Sequence, residues 1–201
     1  MNYGEVEVVS KSVCFQGFFR IEKYRLRHAL FAGGMSDEMS RELFERGHAV
    51  AVLPYDPVLD RVVLVEQFRI GALNDPKGPW LTEIVAGMIG ENETAEGVAR
   101  RESIEESGCE VTDLMRICNY YPSPGACSET IELFCGRVDA SKADGIHGLD
   151  HEHEDIRVIT AGFDEAMAWI ESGRLNSAAV ILALQWLAIN KSSVLQAWSN
   201  A

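Results

Sequence analysis

GMIGENETAEGVARRESIEESGC, residues 87–109, is the stretch whose reading decides the fold. Residues 94–107 are rich in Ala, Glu and Arg, and Gly108 stands just beyond, where a left-handed residue can close a helix. A helix there puts Glu102, Glu105 and Glu106 at i, i+3 and i+4, within roughly 100° of arc. Three like charges that close repel one another and weaken a bare helix. Glu-x-x-Glu-Glu alone is the ordinary solvated face of a surface helix. The wider pattern, Gly87-x5-Glu93-x7-Arg101-Glu102-x2-Glu105-Glu106-x-Gly108, is not ordinary. Seven fixed positions, each matched by chance at about 0.06, are expected on the order of once in a million chains of this length. A hard divalent cation accounts for the clustering, because Mg²⁺ takes oxygen ligands and bridges carboxylates to substrate phosphates.

Outward from that helix, the period changes. Upstream, residues 48–54 (HAVAVLP) and 62–67 (VVLVEQ) read as buried strands joined through DPVLD, a hairpin turn with Pro57 and flanking aspartates. Residues 80–85 form a further strand that ends at Ala86-Gly87, where the backbone can turn sharply. Partial alternation over 5–9 and 18–28 marks two earlier strands. Downstream, 116–121, 130–138 and 156–160 read as strands, and the polar stretch 139–155 as a long loop of the kind that often carries function. Helices over about 164–171 and 177–190 close the chain, the second with Asn176 as its N-cap. The expected class is α+β, with a strand-rich N-terminal arm of about 45 residues ahead of the main region.

Composition narrows the partners. The chain has 201 residues, which suits one domain with a small appendage. Its formal net charge is −13 and no Lys/Arg run breaks it, which argues against nucleic acid or an anionic membrane surface as partner. An acidic protein still binds an anionic diphosphate if Mg²⁺ lies between them. Cys14, Cys109, Cys118, Cys127 and Cys135 form no C-x-x-C pair, so reduced thiols are the expectation. The N-terminus lacks the basic and apolar regions of a signal peptide, and the apolar run 178–189 is too short to span a bilayer. A cytoplasmic protein is expected.

Residues 87–109 resemble the Nudix box, G-x5-E-x7-R-E-U-x-E-E-x-G-U with U an apolar residue. Ser103 and Cys109 hold the two U positions, where an aliphatic residue is usual; both are small enough to pack. The resemblance extends to EQFR (66–69), PWLTEIVAGMI (79–89), SPGACSE (123–129) and HGLDHEHEDIRV (147–158), which look like the bacterial ADP-ribose pyrophosphatase branch. Pro124, sixteen residues after Gly108, is similarly placed in that branch. The resemblance implies a mixed sheet sandwiched between helices, with a small antiparallel β arm at 1–45 and the hydrolase domain at 46–201. It also implies Mg²⁺ (or Mn²⁺) ions, roughly two or three per site, held by the Ala86 carbonyl and by Glu102, Glu106, Glu105 and Glu154. Glu152 would be the general base. From composition alone HEHED, which holds both, reads as a solvated acidic loop, and its His-Glu-His alternation is a weak zinc signal without a third spaced ligand.

The substrate contacts the resemblance implies lie on Phe18, Phe19, Arg41 and Glu42 of the arm, contributed by the partner of a homodimer with exchanged arms. Phe18-Phe19 could as well be core. Arg46 and Arg69 are implied phosphate or ribose contacts, or else ion-paired with nearby carboxylates. Met88 and the turn from Ser123 to Glu129 would line the pocket. The implied reaction is hydrolysis of the diphosphate of ADP-ribose to AMP and ribose 5-phosphate. The alternatives are another nucleoside diphosphate derivative (a nucleotide sugar, NADH or a dinucleoside polyphosphate) or a non-catalytic ADP-ribose sensor. A sensor would have degenerate box glutamates, and here they are intact.

Overall fold

The structure, a computed structural model, describes residues 4–199. The chain divides into two compact units, one running up to His48 and taking in Tyr121–Thr130, the other comprising Ala49–Tyr120 and the residues from Ile131 onward. In the first, β1 (Val6–Gln16), β2 (Arg20–His28) and β3 (Met39–Glu45) form an antiparallel sheet in that order. β1 is exposed along its whole length, its valines included. Phe44 of β3 holds the late segment: its N–H donates to the Ala126 carbonyl and its carbonyl accepts from Ser128.

The second unit is an eight-stranded mixed sheet covered on both faces. Its strands are β4 (Ala49–Asp56), β5 (Arg61–Phe68), β6 (Trp80–Glu83), β7 (Val85–Met88), β8 (Leu114–Tyr120), β9 (Ile131–Arg137), β10 (Ile146–His147) and β11 (Ile156–Gly162). The main path is β10-β11-β5-β4-β9-β8, with β6 paired to β5 and β7 to β4. Among the described strands of this sheet, only β4 with β9 is parallel. β4 lies at the centre, and every one of its residues is buried. That explains its unbroken apolar run: a strand covered on both faces has no polar side to alternate with. Val50 and Val52 pack on one face with Val98 and Ala99 of α1 (Ala95–Ser107). Ala51, Leu53 and Tyr55 pack on the other with α3 (Ala178–Ser199) and with Phe163 and Ala166 of α2 (Phe163–Glu171). Each such Val or Leu contributes about 1.5–3 kcal/mol on leaving water.

Several sequence expectations need correction. The strand expected over 80–85 is two strands: it leaves β5 after Glu83 and joins β4 from Val85, with Ile84 buried at the crossing. β7 also runs on through Ala86 and Gly87 to Met88, because Gly87 stays in register with Val50 rather than turning away. β3 was not expected at all. The loop 139–155 contains β10 and two 3₁₀ turns, at Ala140–Lys142 and Asp150–Glu152. α3 starts at Ala178, so Ser177 rather than Asn176 precedes its first turn, and it continues to Ser199. By length and composition α3 could cross a membrane. Its Val180, Ala183, Leu184, Leu187, Val194 and Trp198 are nonetheless buried in the core.

Candidate active site

α1 is fixed at both ends by local chemistry. The Thr94 side chain caps its N-terminus, accepting from Gly97 N–H at 3.1 Å. Gly108 closes it in the left-handed region, φ 67°, its N–H donating to the Ile104 carbonyl. The face toward the sheet carries Val98, Ala99 and Ser103. Ser103 is fully buried and its hydroxyl donates to the Ala99 carbonyl at 2.8 Å, so the polar atom is satisfied where an aliphatic residue was expected. Cys109 is buried in a small apolar cluster with Val111 and Val138.

The same helix turns its glutamates toward β7. Glu106 is 2% exposed, and its Oε2 accepts from Ala86 N–H at 3.1 Å. Glu102, 15% exposed, projects over Gly87. A β-carbon at 87 would lie 2.0 Å from Glu102 Oε1, so only glycine leaves that carboxylate its place. Arg101 gathers the neighbours: its Nη1 lies 2.9 Å from Glu102 Oε1 and donates to Glu105 Oε2 at 2.8 Å, and its Nη2 lies 3.4 Å from Glu93. Glu93 also accepts from Gly90 N–H at 2.8 Å, which ties down the approach to the helix.

Burial pushes the Glu106 carboxyl up to about 8; the Ala86 N–H and Arg69 oppose this, while Glu102 and Glu154 add to it. Burial likewise pushes Glu102 up to about 7, against Arg101 and with Glu105 and Glu154. Two desolvated carboxylates in one field are short of positive charge. A hard divalent cation fits this donor set. Among the described residues, no group of three or more His, Cys, Asp or Glu side chains is arranged to hold a metal ion; Mg²⁺ characteristically binds through one or two carboxylates, keeping several waters and taking substrate oxygens.

The remaining sequence-derived residues fall into three groups. Glu152 and Glu154 lie in the loop after β10. Glu152 is 56% exposed, with His151 at 3.7 Å, and Glu154 Oε2 accepts from Leu149 N–H at 3.2 Å. Arg69, at the end of β5, donates through Nε to Glu83 at 2.6 Å, a pairing that leaves its terminal amino groups outside that bond. Met88, at the end of β7, is exposed.

In the first unit, Phe18, 87% exposed, stands edge-on to Phe19 at 4.8 Å, and Phe19 to Phe44 at 5.1 Å. The Arg46 guanidinium lies 5.4 Å from the Phe19 ring, and its Nε lies 3.4 Å from buried Glu129. Ser123 closes a turn, accepting from Cys127 N–H at 3.0 Å. Arg41 and Glu42 are consecutive in regular β3 and so leave opposite faces. Both Arg46 and Arg69 are thus ion-paired. Sequence reasoning missed Phe44 and Glu83; a lone glutamate inside the apolar segment 80–89 was the available signal for the second.

A NUDIX domain family model matches residues 45–180. The chain is 47% identical over 195 residues to the ADP-ribose pyrophosphatase of Escherichia coli (strain K12), covering 97% of this chain and 93% of that one. The ADP-ribose pyrophosphatase of Haemophilus influenzae is 41% identical over 200 residues, covering 98% and 92%. A GDP-mannose pyrophosphatase of Pectobacterium atrosepticum is 31% identical, covering 90% and 92%. The crystal structure of an ADP compounds hydrolase shares the fold, with TM-score 0.73 at 18% identity over 96% of this chain and 98% of that one. The chain belongs to the NUDIX domain family, and within it resembles the bacterial ADP-ribose pyrophosphatases throughout its length.

Proposed function

We propose that the protein hydrolyses the diphosphate bond of ADP-ribose, releasing AMP and ribose 5-phosphate in a Mg²⁺-dependent reaction. The observation that carries this reading is the pair formed by buried Glu106, bonded to the Ala86 N–H, and part-buried Glu102 against Gly87, set in a chain 47% identical to an ADP-ribose pyrophosphatase. Glu102, Glu106 and the Ala86 carbonyl, with Glu105 and Glu154, would hold the metal, Mg²⁺ or Mn²⁺, roughly two or three ions per site. When bound, the metal draws charge from the diphosphate oxygens and makes water easier to deprotonate.

Glu152 takes the proton as water attacks one phosphorus in line with the departing phosphate oxygen. Its exposure keeps it in reach of water. Arg101 orients Glu102 and Glu105. Arg69 and Arg46 contact phosphate or ribose oxygens with the donors their ion pairs leave unused. Phe18, Phe19, Arg41 and Glu42 receive the adenosine end, and Met88, Ser123 and Glu129 line the pocket.

The chain acts as a homodimer with exchanged arms, one subunit's arm completing its partner's site. Exposed Val6, Val8, Val13 and Phe15 along β1 support this, since a strand edge so apolar needs a cover. Val13→Asp should shift the sedimenting species from dimer to monomer; a parent that sediments as a monomer would overturn the exchange. The protein works in the cytoplasm, without nucleic acid or membrane as partner.

The 31% identical GDP-mannose pyrophosphatase favours a second reading, in which a nucleotide sugar is the substrate. Purified protein with Mg²⁺ should show a kcat/KM for ADP-ribose at least about tenfold above those for GDP-mannose, ADP-glucose, NADH and diadenosine polyphosphates, a difference of about 1.4 kcal/mol in transition-state binding. Preference for another member would keep the chemistry and remove ADP-ribose as substrate. ADP-ribose binding without any hydrolysis would indicate a sensor.

A further inference from the structure

At Gly108 two constraints coincide. Its φ of +67° disfavours any side chain, and the space a β-carbon would fill belongs to His147, whose Cε1 would lie 2.7 Å away. His147 Nε2 lies 2.7 Å from the Asp144 carbonyl. A carbonyl can only accept, so Nε2 carries the proton. The next residue completes the contact: Gly148 N–H donates to the Glu105 carbonyl at 3.1 Å. That carbonyl lies in the last turn of α1, where intrahelical donors run out. Gly108 and Cys109 N–H go instead to the carbonyls of Ile104 and Ser103.

Beyond Gly148 the loop closes on itself. Gly148, φ +100°, packs so tightly on Glu154 that a β-carbon would lie 2.7 Å from Glu154 Cβ. Glu154 N–H donates to the Leu149 carbonyl at 3.3 Å, and Leu149 N–H donates to Glu154 Oε2 at 3.2 Å. Residues 147–154 are therefore a small closed unit joined at its first two residues to the C-terminus of the helix that carries Glu102 and Glu106. Glu152 and Glu154 both stand on it.

We infer that His147 is a positioning residue: packed against Gly108 and bonded to the Asp144 carbonyl, it seats the 147–154 loop on the end of α1 and so sets Glu152 and Glu154 against Glu102 and Glu106. His147 acts through these residues and touches no substrate. The inference rests on the proposed roles of Glu152 and Glu154.

The test uses His147→Ala, His147→Gln, Gly108→Ala and the double variant Gly108→Ala/His147→Ala. Three quantities are read: kcat and KM for ADP-ribose, Mn²⁺ affinity by paramagnetic resonance, and thermal midpoint. His147→Ala should lose about tenfold or more in kcat with KM changed less than threefold, and weaken Mn²⁺ binding severalfold, within the usual cost of removing an orienting group. His147→Gln, which can still donate to Asp144, should recover part of both. The double variant should lose less than the product of the two single losses, because His147→Ala removes the clash with the new β-carbon and leaves only the backbone strain at φ +67°.

A folded His147→Ala with parental kcat and parental Mn²⁺ affinity would overturn the inference. If the parent proves inactive on ADP-ribose while His147→Ala still weakens Mn²⁺ binding, the positioning role stands and the substrate reading falls.

Discussion

The carboxylate helix and the loop after β10 both carry glutamates, but hold them in opposite ways. On α1, Glu106 is 2% exposed and bonded to Ala86 N–H, and Glu102 is pinned between Arg101 and Gly87. On the loop, Glu152 is 56% exposed beside His151. Holding a cation favours carboxylates already stripped of water and fixed in place, since they gain most when a positive charge arrives. Taking a proton from water requires access to water. One chain thus presents two kinds of carboxylate, sorted by burial rather than by residue type.

The harshest break of this comparison is Glu106→Gln. Steady-state assays should show kcat down by at least about 10³-fold, as expected when several kcal/mol of charge stabilisation go. The metal-free variant should also melt higher than the parent at pH 8, because a neutral amide replaces a carboxylate that burial disfavours. A lower midpoint would mean that Glu106 is not strained by burial. Glu152→Gln should cost about 10²–10³-fold in kcat with KM nearly unchanged. Unchanged turnover would remove Glu152 from its role and erase the contrast.

Gly87→Ala sharpens the helix side. Its β-carbon meets the flexible end of Glu102 rather than backbone, so the protein should fold while the carboxylate is displaced. The Mg²⁺ concentration for half-maximal rate should rise about 10–100-fold; an unchanged requirement would free Glu102 from metal binding.

The smallest effect is thermal. Glu102 and Glu106 have folded-state values of about 7 and about 8, raised above the ordinary 4.5. Their stabilising contribution is full below about pH 4.5 and fades as pH rises through 7 and 8. Metal-free protein should therefore lose stability over that window, while the gain from Mg²⁺ grows. At a hundredfold excess over Kd that gain is about 2.7 kcal/mol, or roughly 5–10 °C. Scanning calorimetry at pH 6 and pH 8 reads the difference, and an equal Mg²⁺ gain at both would contradict it.

What was legible in the sequence follows the strength of local signals. α1 announced itself through Thr94, Gly108 and the glutamate spacing, all near in sequence. β4 and β5 were legible because burial on both faces leaves a continuous apolar run. β3 was missed because MSRELFE presents no clean apolar face; its strand state comes from pairing with β2. α3 extends past Asn190 because Val194 and Trp198 lie seven and eleven positions after buried Leu187, beyond a polar interruption that hides the period. The candidate site was legible where its residues share one helix. The clasp of His147 and Gly148 on the end of α1 was not, because a backbone N–H seeking a helix carbonyl leaves no mark in composition. The cluster of Arg46, Phe19 and Glu129 likewise joins residues far apart in the chain.

The most direct test of the account is AMP release from ADP-ribose by chelator-treated protein as Mg²⁺ is restored. No release is expected without metal and a saturable rise with it, with AMP and ribose 5-phosphate formed in equal amounts. AMP release that does not depend on metal, or none at any Mg²⁺ concentration while GDP-mannose is hydrolysed, would contradict it.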